Sequence, residues 1–239
     1  MCPPWVVRDA VPKPSFSMSE RTKFSRIPRH VGIIPDGNRR WAKAQGLEAA
    51  EGYAAGMLRG LEMLDECLGL GIEEVSVYGF TMDNNKRPRE QRLAFGQACV
   101  HFIQCAMERD IALRVVGDCT SAMFPASLKP YAIERRGGGK LKVNMLVNYG
   151  WNWDIQTAVC ARSREGETRG FQELLASADV SRIDLLVRWG GMRRLSGFLP
   201  IQSVYSDFFV VDQYWPDYKH EQFYEALKWY SKQDVTLGG

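Results

Sequence analysis

The chain lacks any run approaching the ~18 apolar residues that a bilayer-spanning helix requires, so a soluble protein with at most peripheral membrane contact is expected. It also lacks a CxxC pair. Its six cysteines (Cys2, Cys67, Cys99, Cys105, Cys119 and Cys160) fall mostly inside apolar periodic segments, and residues 1–28 contain no apolar core of a secretory signal. Reduced thiols in a cytoplasmic protein are the expectation. A concentrated basic stripe is missing as well: 31 basic and 28 acidic residues are spread along the chain for a net charge of +3, which argues against a nucleic-acid partner. No internal repeat is found. What is present is a globular composition, 239 residues with 45% hydrophobic and 25% charged, enough for one domain to bury a continuous core.

Residues 1–28 mix proline, serine and charge without a period and read as a flexible or loosely docked arm ahead of one domain over residues 29–239. From residue 31 short β-branched or apolar runs alternate with helical patterns: VGII (31–34), VSVYGF (75–80), ALRVVG (112–117), KVNMLVNY (142–149), DLLVRW (184–189) and FFVVD (208–212). Six such runs separated by helices predict an α/β fold, a mainly parallel sheet covered on both faces. Met57, Leu61, Leu64 and Leu68 give one helix face. Pro88 is placed to open a long helix ending near Arg109, and Phe223, Ala226, Leu227 and Tyr230 mark a final amphipathic helix. The tract RRGGGK (135–140) reads as a turn before the fourth strand.

Two segments carry chemistry. The first strand runs into IPDGNRRWAKAQG, where Asp36 is followed by Gly37, Asn38, Arg39 and Arg40 entering a helix. Ligands of open parallel sheets bind at the carboxyl ends of strands, where helix N–H groups attract phosphate. Gly37 permits close backbone approach, Asn38 can donate, and paired arginines fork onto phosphate oxygens. A carboxylate beside such phosphates suits Mg²⁺, which prefers one or two carboxylates plus phosphate oxygens. Taken alone, the motif fits equally a DG turn with two solvated arginines. After the fifth strand, RWGGMRRLSGFLP sets Arg188, Arg193, Arg194 and Ser196 around Gly190–Gly191. Two basic loops at equivalent strand ends suggest two diphosphates. Asp207, just before the sixth strand, offers a second carboxylate for the metal, or a plain turn residue.

DGNRRWA, FTMDNNKRP (80–88), VNYGWNWDI (147–155), RWGGMRRLS and YSDFFVVDQYWPDY (205–218) resemble, in order, the motifs of the cis-prenyltransferases, relatives of undecaprenyl diphosphate synthase. The resemblance spans residues 29–239. It implies six mostly parallel strands ringed by helices, a hydrophobic tunnel and a homodimer. It also implies Mg²⁺-dependent ionisation of an allylic diphosphate (dimethylallyl, geranyl or farnesyl) and its joining to isopentenyl diphosphate. By resemblance, Asp36 is the metal-binding and catalytic aspartate, and Gly37, Asn38, Arg39, Arg40 and Trp41 form the allylic diphosphate loop. Arg188, Arg194, Leu195 and Ser196 match the isopentenyl diphosphate site, Asp207 a metal-binding glutamate, and Asn84 the asparagine of proton removal. Thr81, Met82, Asp83, Asn85 and Arg87 fall on the flanking substrate segment, and Tyr53 stands at a substrate-side histidine.

Departures from the pattern cluster near substrate. Arg39 replaces a glycine, Tyr53 a histidine, Ala49 an arginine, Asn85 an aromatic and Asn152 an arginine. Trp189 and Met192 replace a small hydroxyl residue and a glutamate, and the ending SKQDVTLGG lacks the usual arginine. These changes resemble in kind those of irregular members making lavandulyl-type skeletons, although Asn84, Lys86, Arg87 and Pro88 keep the regular segment. Phe95, Phe102 and Met107 either narrow a tunnel or pack helix to sheet. The leading expectation is a short-chain prenyltransferase. Its alternatives are a head-to-middle synthase or terpene cyclase using the same pocket and, against the retained Asp36, a non-catalytic subunit.

Overall fold

The computed structural model of the chain describes residues 24–234. Six strands form one sheet: β1 (His30–Ile34), β2 (Glu74–Tyr78), β3 (Ile111–Val116), β4 (Leu141–Leu146), β5 (Leu185–Arg188) and β6 (Asp207–Val210), in the spatial order β3-β4-β2-β1-β5-β6. Every pairing is parallel, a stricter arrangement than the expected mainly parallel sheet. The strands are predominantly apolar because both faces are covered, and the pleat sends alternate residues to opposite sides. Ile33, Val75, Val143, Leu185 and Val187 join one core, whereas Ile34, Val116, Leu146 and Leu186 join another.

The first core is closed by α2 (Ala49–Leu70), α3 (Arg89–Ala106) and α6 (His220–Tyr230), and α5 (Trp151–Arg162) lies on the opposite side with residues 195–199. Helix α2 opens on a capping box in which Glu51 accepts from the Glu48 N–H at 2.9 Å, and it ends at Gly71, whose φ of 70° suits glycine. Pro88 is the residue before α3, as its fixed φ predicts, and that helix stops at Ala106, three residues short of Arg109. The short α1 (Asn38–Ala44) turns off β1 through Gly37 at φ 108°. There an added Cβ would meet Tyr214 at 2.7 Å, so both the conformation and the close approach require glycine. A further short helix, α4 (Lys129–Ile133), precedes the RRGGGK tract, in which Arg136 bridges antiparallel to Leu113.

Residues 24–28, assigned by sequence to the arm, pack on α6. Arg26 lies 3.9 Å over the Tyr230 ring and donates to the Tyr230 carbonyl at 2.8 Å. The rest of the arm, residues 1–23, with Cys2, and most of the divergent ending, residues 235–239, lie outside the described residues. The five described cysteines are unbridged. Among the described residues no helix is long and apolar enough to cross a membrane.

Candidate active site

The register decides what meets at the carboxyl edge of the sheet. Ile34 ends β1 opposite Arg188, which ends β5, so Asp36 emerges beside the basic loop that follows β5. Tyr78 closes β2 on the other side of β1. A cleft of about 470 Å³ opens here, lined by Asp36, Gly37, Asn38, Arg39 and Arg40 from the first loop and by Arg188, Arg194 and Ser196 from the second. Tyr53 from α2 also lines it, together with Thr81, Asp83, Asn84 and Arg87 from the segment after β2. Segments far apart in sequence thus build one concavity.

At its centre is a carboxylate held between two arginines. Arg188, nearly buried, donates from Nη2 to Asp36 Oδ2 at 2.7 Å. Its Nη1 donates to Ser196 Oγ at 2.9 Å and to the Arg194 carbonyl, so this guanidinium organises its own loop as well as facing the cleft. Arg40 lies 3.4 Å from Asp36 Oδ1 and donates to the Gly190 carbonyl at 3.0 Å. Arg40, expected in the first loop, thereby also ties the two loops together. Arg39 is exposed and reaches Gln91 at 3.5 Å.

Arg87 donates to the Tyr53 hydroxyl at 3.2 Å, and partial burial lowers its pKa, with Arg39 nearby acting in the same direction. Such a guanidinium gains from an anionic ligand, which replaces lost water and offsets the neighbouring charge. Asn84, which lines the cleft, donates to Thr81 Oγ1 at 2.6 Å. Tyr78, which the motif reading omitted, donates to the Ser196 carbonyl at 2.8 Å, and burial raises its pKa above the ordinary phenol value. Its signal was positional: it ends a central strand, as Asp36 follows one.

Several expected residues stand elsewhere. Trp41 donates its indole N–H to Asp217 at 2.8 Å, Met82 packs against Gly150, Asn85 donates to Asn148 at 3.4 Å, and Leu195 packs on the second core. None of these four lines the cleft. The larger correction is Asp207. It pairs with Leu185 at the amino end of β5 and faces Arg26 at 3.8 Å in a separate depression, at the opposite edge of the sheet from Asp36. A parallel register cannot bring these two carboxylates to one metal within one chain.

Beneath the cleft, between α2, α3 and β2, lies an apolar slot of about 50 Å³ reached past Tyr53, Tyr78 and Phe95. The Tyr53 and Phe95 rings stack at 4.6 Å, and Phe102 fills the space beside Gly60. This slot is the apolar space that adjoins the cleft. Met107, read from sequence either as narrowing a tunnel or as core packing, packs at the core margin outside the slot's lining. A groove of about 860 Å³ on the outer side of α3 is larger, but no carboxylate lines it.

Residues 34–238 match the family model described as putative undecaprenyl diphosphate synthase. The chain belongs to that prenyltransferase family. Among curated members it is 33% identical over 231 residues to a ditrans,polycis-undecaprenyl-diphosphate synthase of Pseudomonas putida, covering 90% of this chain and 92% of the relative. An isoprenyl transferase of Thermus thermophilus is 34% identical over 242 residues, covering 90% of each. Among solved structures, lavandulyl diphosphate synthase from Lavandula x intermedia, in complex with dimethylallyl diphosphate, superposes with a TM-score of 0.79. At 23% identity over 89% of this chain and 99% of that one, this last likeness establishes the shared fold. The chain is thus a prenyltransferase of the undecaprenyl diphosphate synthase family.

The family pattern raises the question of a metal. Among the described residues no three His, Cys, Asp or Glu side chains gather into a protein-only cage. The cleft instead offers Asp36 and Asp83 among five arginines. That donor set fits Mg²⁺ carried by a diphosphate and held by one or two carboxylates, and it does not fit a structural metal.

Proposed function

We propose that the chain condenses an allylic isoprenyl diphosphate with a second small isoprenyl diphosphate to give a short-chain prenyl diphosphate, with Mg²⁺ as cofactor. One observation carries this reading: a cleft with five arginines around Asp36 opens onto an apolar slot of only about 50 Å³. Arg39, Arg87 and, across the loop junction, Arg40 supply positive charge to one diphosphate. Arg194 and Ser196, positioned by Arg188, face the other. Asp36, with Asp83 nearby, would hold Mg²⁺ brought in on a diphosphate, and the metal would offset charge on the departing pyrophosphate. The arginines stabilise that same developing charge in place, without reorganisation at the moment of reaction. Tyr78, Phe95 and the slot beneath exclude water from the allylic carbon. Asn84, braced by Thr81, is the polar group closest in kind to the proton-removal role that the resemblance assigns.

A second reading, head-to-middle joining or cyclisation of a single allylic diphosphate, is favoured by Met192, an apolar side chain lining the cleft where the family pattern carries glutamate. Homodimer assembly follows from the resemblance, and a cytoplasmic setting suits the unbridged cysteines. The test is mass spectrometry of dephosphorylated products after incubation with Mg²⁺ and dimethylallyl, geranyl and isopentenyl diphosphates, singly and in pairs. Short regular prenols formed only from pairs are expected. Turnover of one allylic diphosphate alone would replace regular condensation by head-to-middle joining when the product carbon number doubles, and by cyclisation when it does not.

A further inference from the structure

Besides the Arg188 bonds within the second loop, both arginine loops are held from outside. Asp36 and Gly190 are presented by turns, and the polypeptide that packs behind both is the segment between β6 and α6. The backbone N–H of Trp215 donates to the Asp36 carbonyl at 3.0 Å, and the Gly190 N–H donates to the Gln213 carbonyl at 2.7 Å. One short stretch is therefore hydrogen-bonded to both loops. Trp215 is buried and tied down: its indole N–H donates to the Gly56 carbonyl of α2 at 2.6 Å, and its ring meets Trp189 edge-on at 4.7 Å. Trp189, fully buried, directly follows Arg188, so this contact also fixes the base of the second loop.

Tyr214, on the same stretch, is only half-buried. Its ring packs on Gly37 and lies 5.0 Å from the Arg40 guanidinium. Arg40 is thus bounded by the Asp36 carboxylate, the Gly190 carbonyl and an aromatic face. A guanidinium over a ring face is attracted by the ring quadrupole and loses side-chain freedom before any anion arrives.

We propose that Tyr214 is a positioning residue: its ring preorients Arg40 across the junction of the two loops, with Trp215 anchoring the segment that carries it. This deepens the diphosphate reading above and rests on it. Tyr214 touches no substrate in this account; it acts through Arg40.

The test measures inorganic pyrophosphate binding, by tryptophan fluorescence or calorimetry, to the full chain, Tyr214→Ala, Tyr214→Phe, Arg40→Ala and the Tyr214→Ala/Arg40→Ala double variant. Thermal melts run in parallel. Tyr214→Ala is expected to weaken pyrophosphate about two- to fivefold, the range of a partly exposed cation–π contact. Tyr214→Phe should restore binding, since the ring face and not the hydroxyl is used. In the Arg40→Ala background the Tyr214→Ala change should add nothing, because the pathway from ring to ligand is already cut. Wild-type affinity in Tyr214→Ala, failure of phenylalanine to rescue, or equal losses in both backgrounds would each overturn the inference while leaving the diphosphate site standing. Absence of pyrophosphate binding in the unaltered chain would instead overturn that site, and the inference with it.

Discussion

Replacing Asp36 separates the proposed chemical role of this carboxylate from the structural one that its ion pair with Arg188 gives it. Its partner Arg188 has a side chain only 5% exposed, whereas the Asp36 side chain is 32% exposed. Removing one partner of a fully buried ion pair costs about 3–5 kcal/mol, and of an exposed pair about 0–1 kcal/mol. Arg188 keeps the Ser196 hydroxyl and the Arg194 carbonyl, and water can reach the vacated position. Asp36→Ala should therefore lie between the limits, at about 1–2 kcal/mol. For a domain of this size that lowers Tm by about 2–8 °C, which leaves the chain folded at assay temperature. Turnover should fall much further, by about a hundredfold or more, because on the proposed reading a metal ligand and a fixed charge at the reacting diphosphate are lost together. Asp36→Asn is the discriminating variant. Its amide oxygen can still accept from Arg188, so the Tm loss should shrink, while the loss of turnover should remain. Circular-dichroism melts and initial rates across a Mg²⁺ titration read the two effects separately. Near-normal turnover in folded Asp36→Asn would refute the metal and charge role, and an unfolded Asp36→Ala would refute the stability estimate.

Phe95→Ala should extend the apolar slot by removing the ring stacked on Tyr53, shifting products to longer prenyl chains by mass spectrometry; an unchanged product length would show that the stack does not set it. Arg194→Ala should raise the KM of one diphosphate about ten- to a hundredfold, the worth of a charge-assisted contact, with lysine recovering only part. Arg40→Ala, bridging both loops, should weaken both diphosphates in separate titrations, and a loss confined to one would restore the simpler assignment. Glu66 is buried in α2, and burial, reinforced by Glu62, Glu221 and Asp65 and opposed by the Tyr218 hydroxyl, pushes its pKa up to about 8. A raised folded pKa stabilises fully below the unfolded value, and that contribution is lost as pH rises through about 8. Glu66→Gln should accordingly gain Tm over the parent chain progressively between about pH 5 and pH 9; a constant difference across that range would reject the buried neutral acid.

The strands and principal helices were legible because each obeys a local rule. Apolar runs of strand length, Pro88 at a helix start and the spacing of Met57, Leu61 and Leu64 need no knowledge of distant residues. The motifs around Asp36 and Arg188 were legible for a related reason, since a glycine-bounded basic loop after a strand already defines a phosphate-facing geometry, whereas Asn84 was legible only through the family resemblance. What sequence could not order was which loops share an edge. Asp207 reads as a carboxylate close to the second arginine loop, yet it opens β6, whereas Arg188 ends β5, and parallel pairing puts the start of one strand beside the start of the other. Tyr214 lies inside the segment 205–218 but had no role assigned there, and Tyr78 lay outside every motif; their positions follow from the packing of the segment after β6 and from the order β2-β1-β5. Local chemistry determined the parts, through propensity, turn geometry and charge. The tertiary structure decided their company, because only the register of a six-stranded sheet fixes which strand ends face a common cleft and which face away from it.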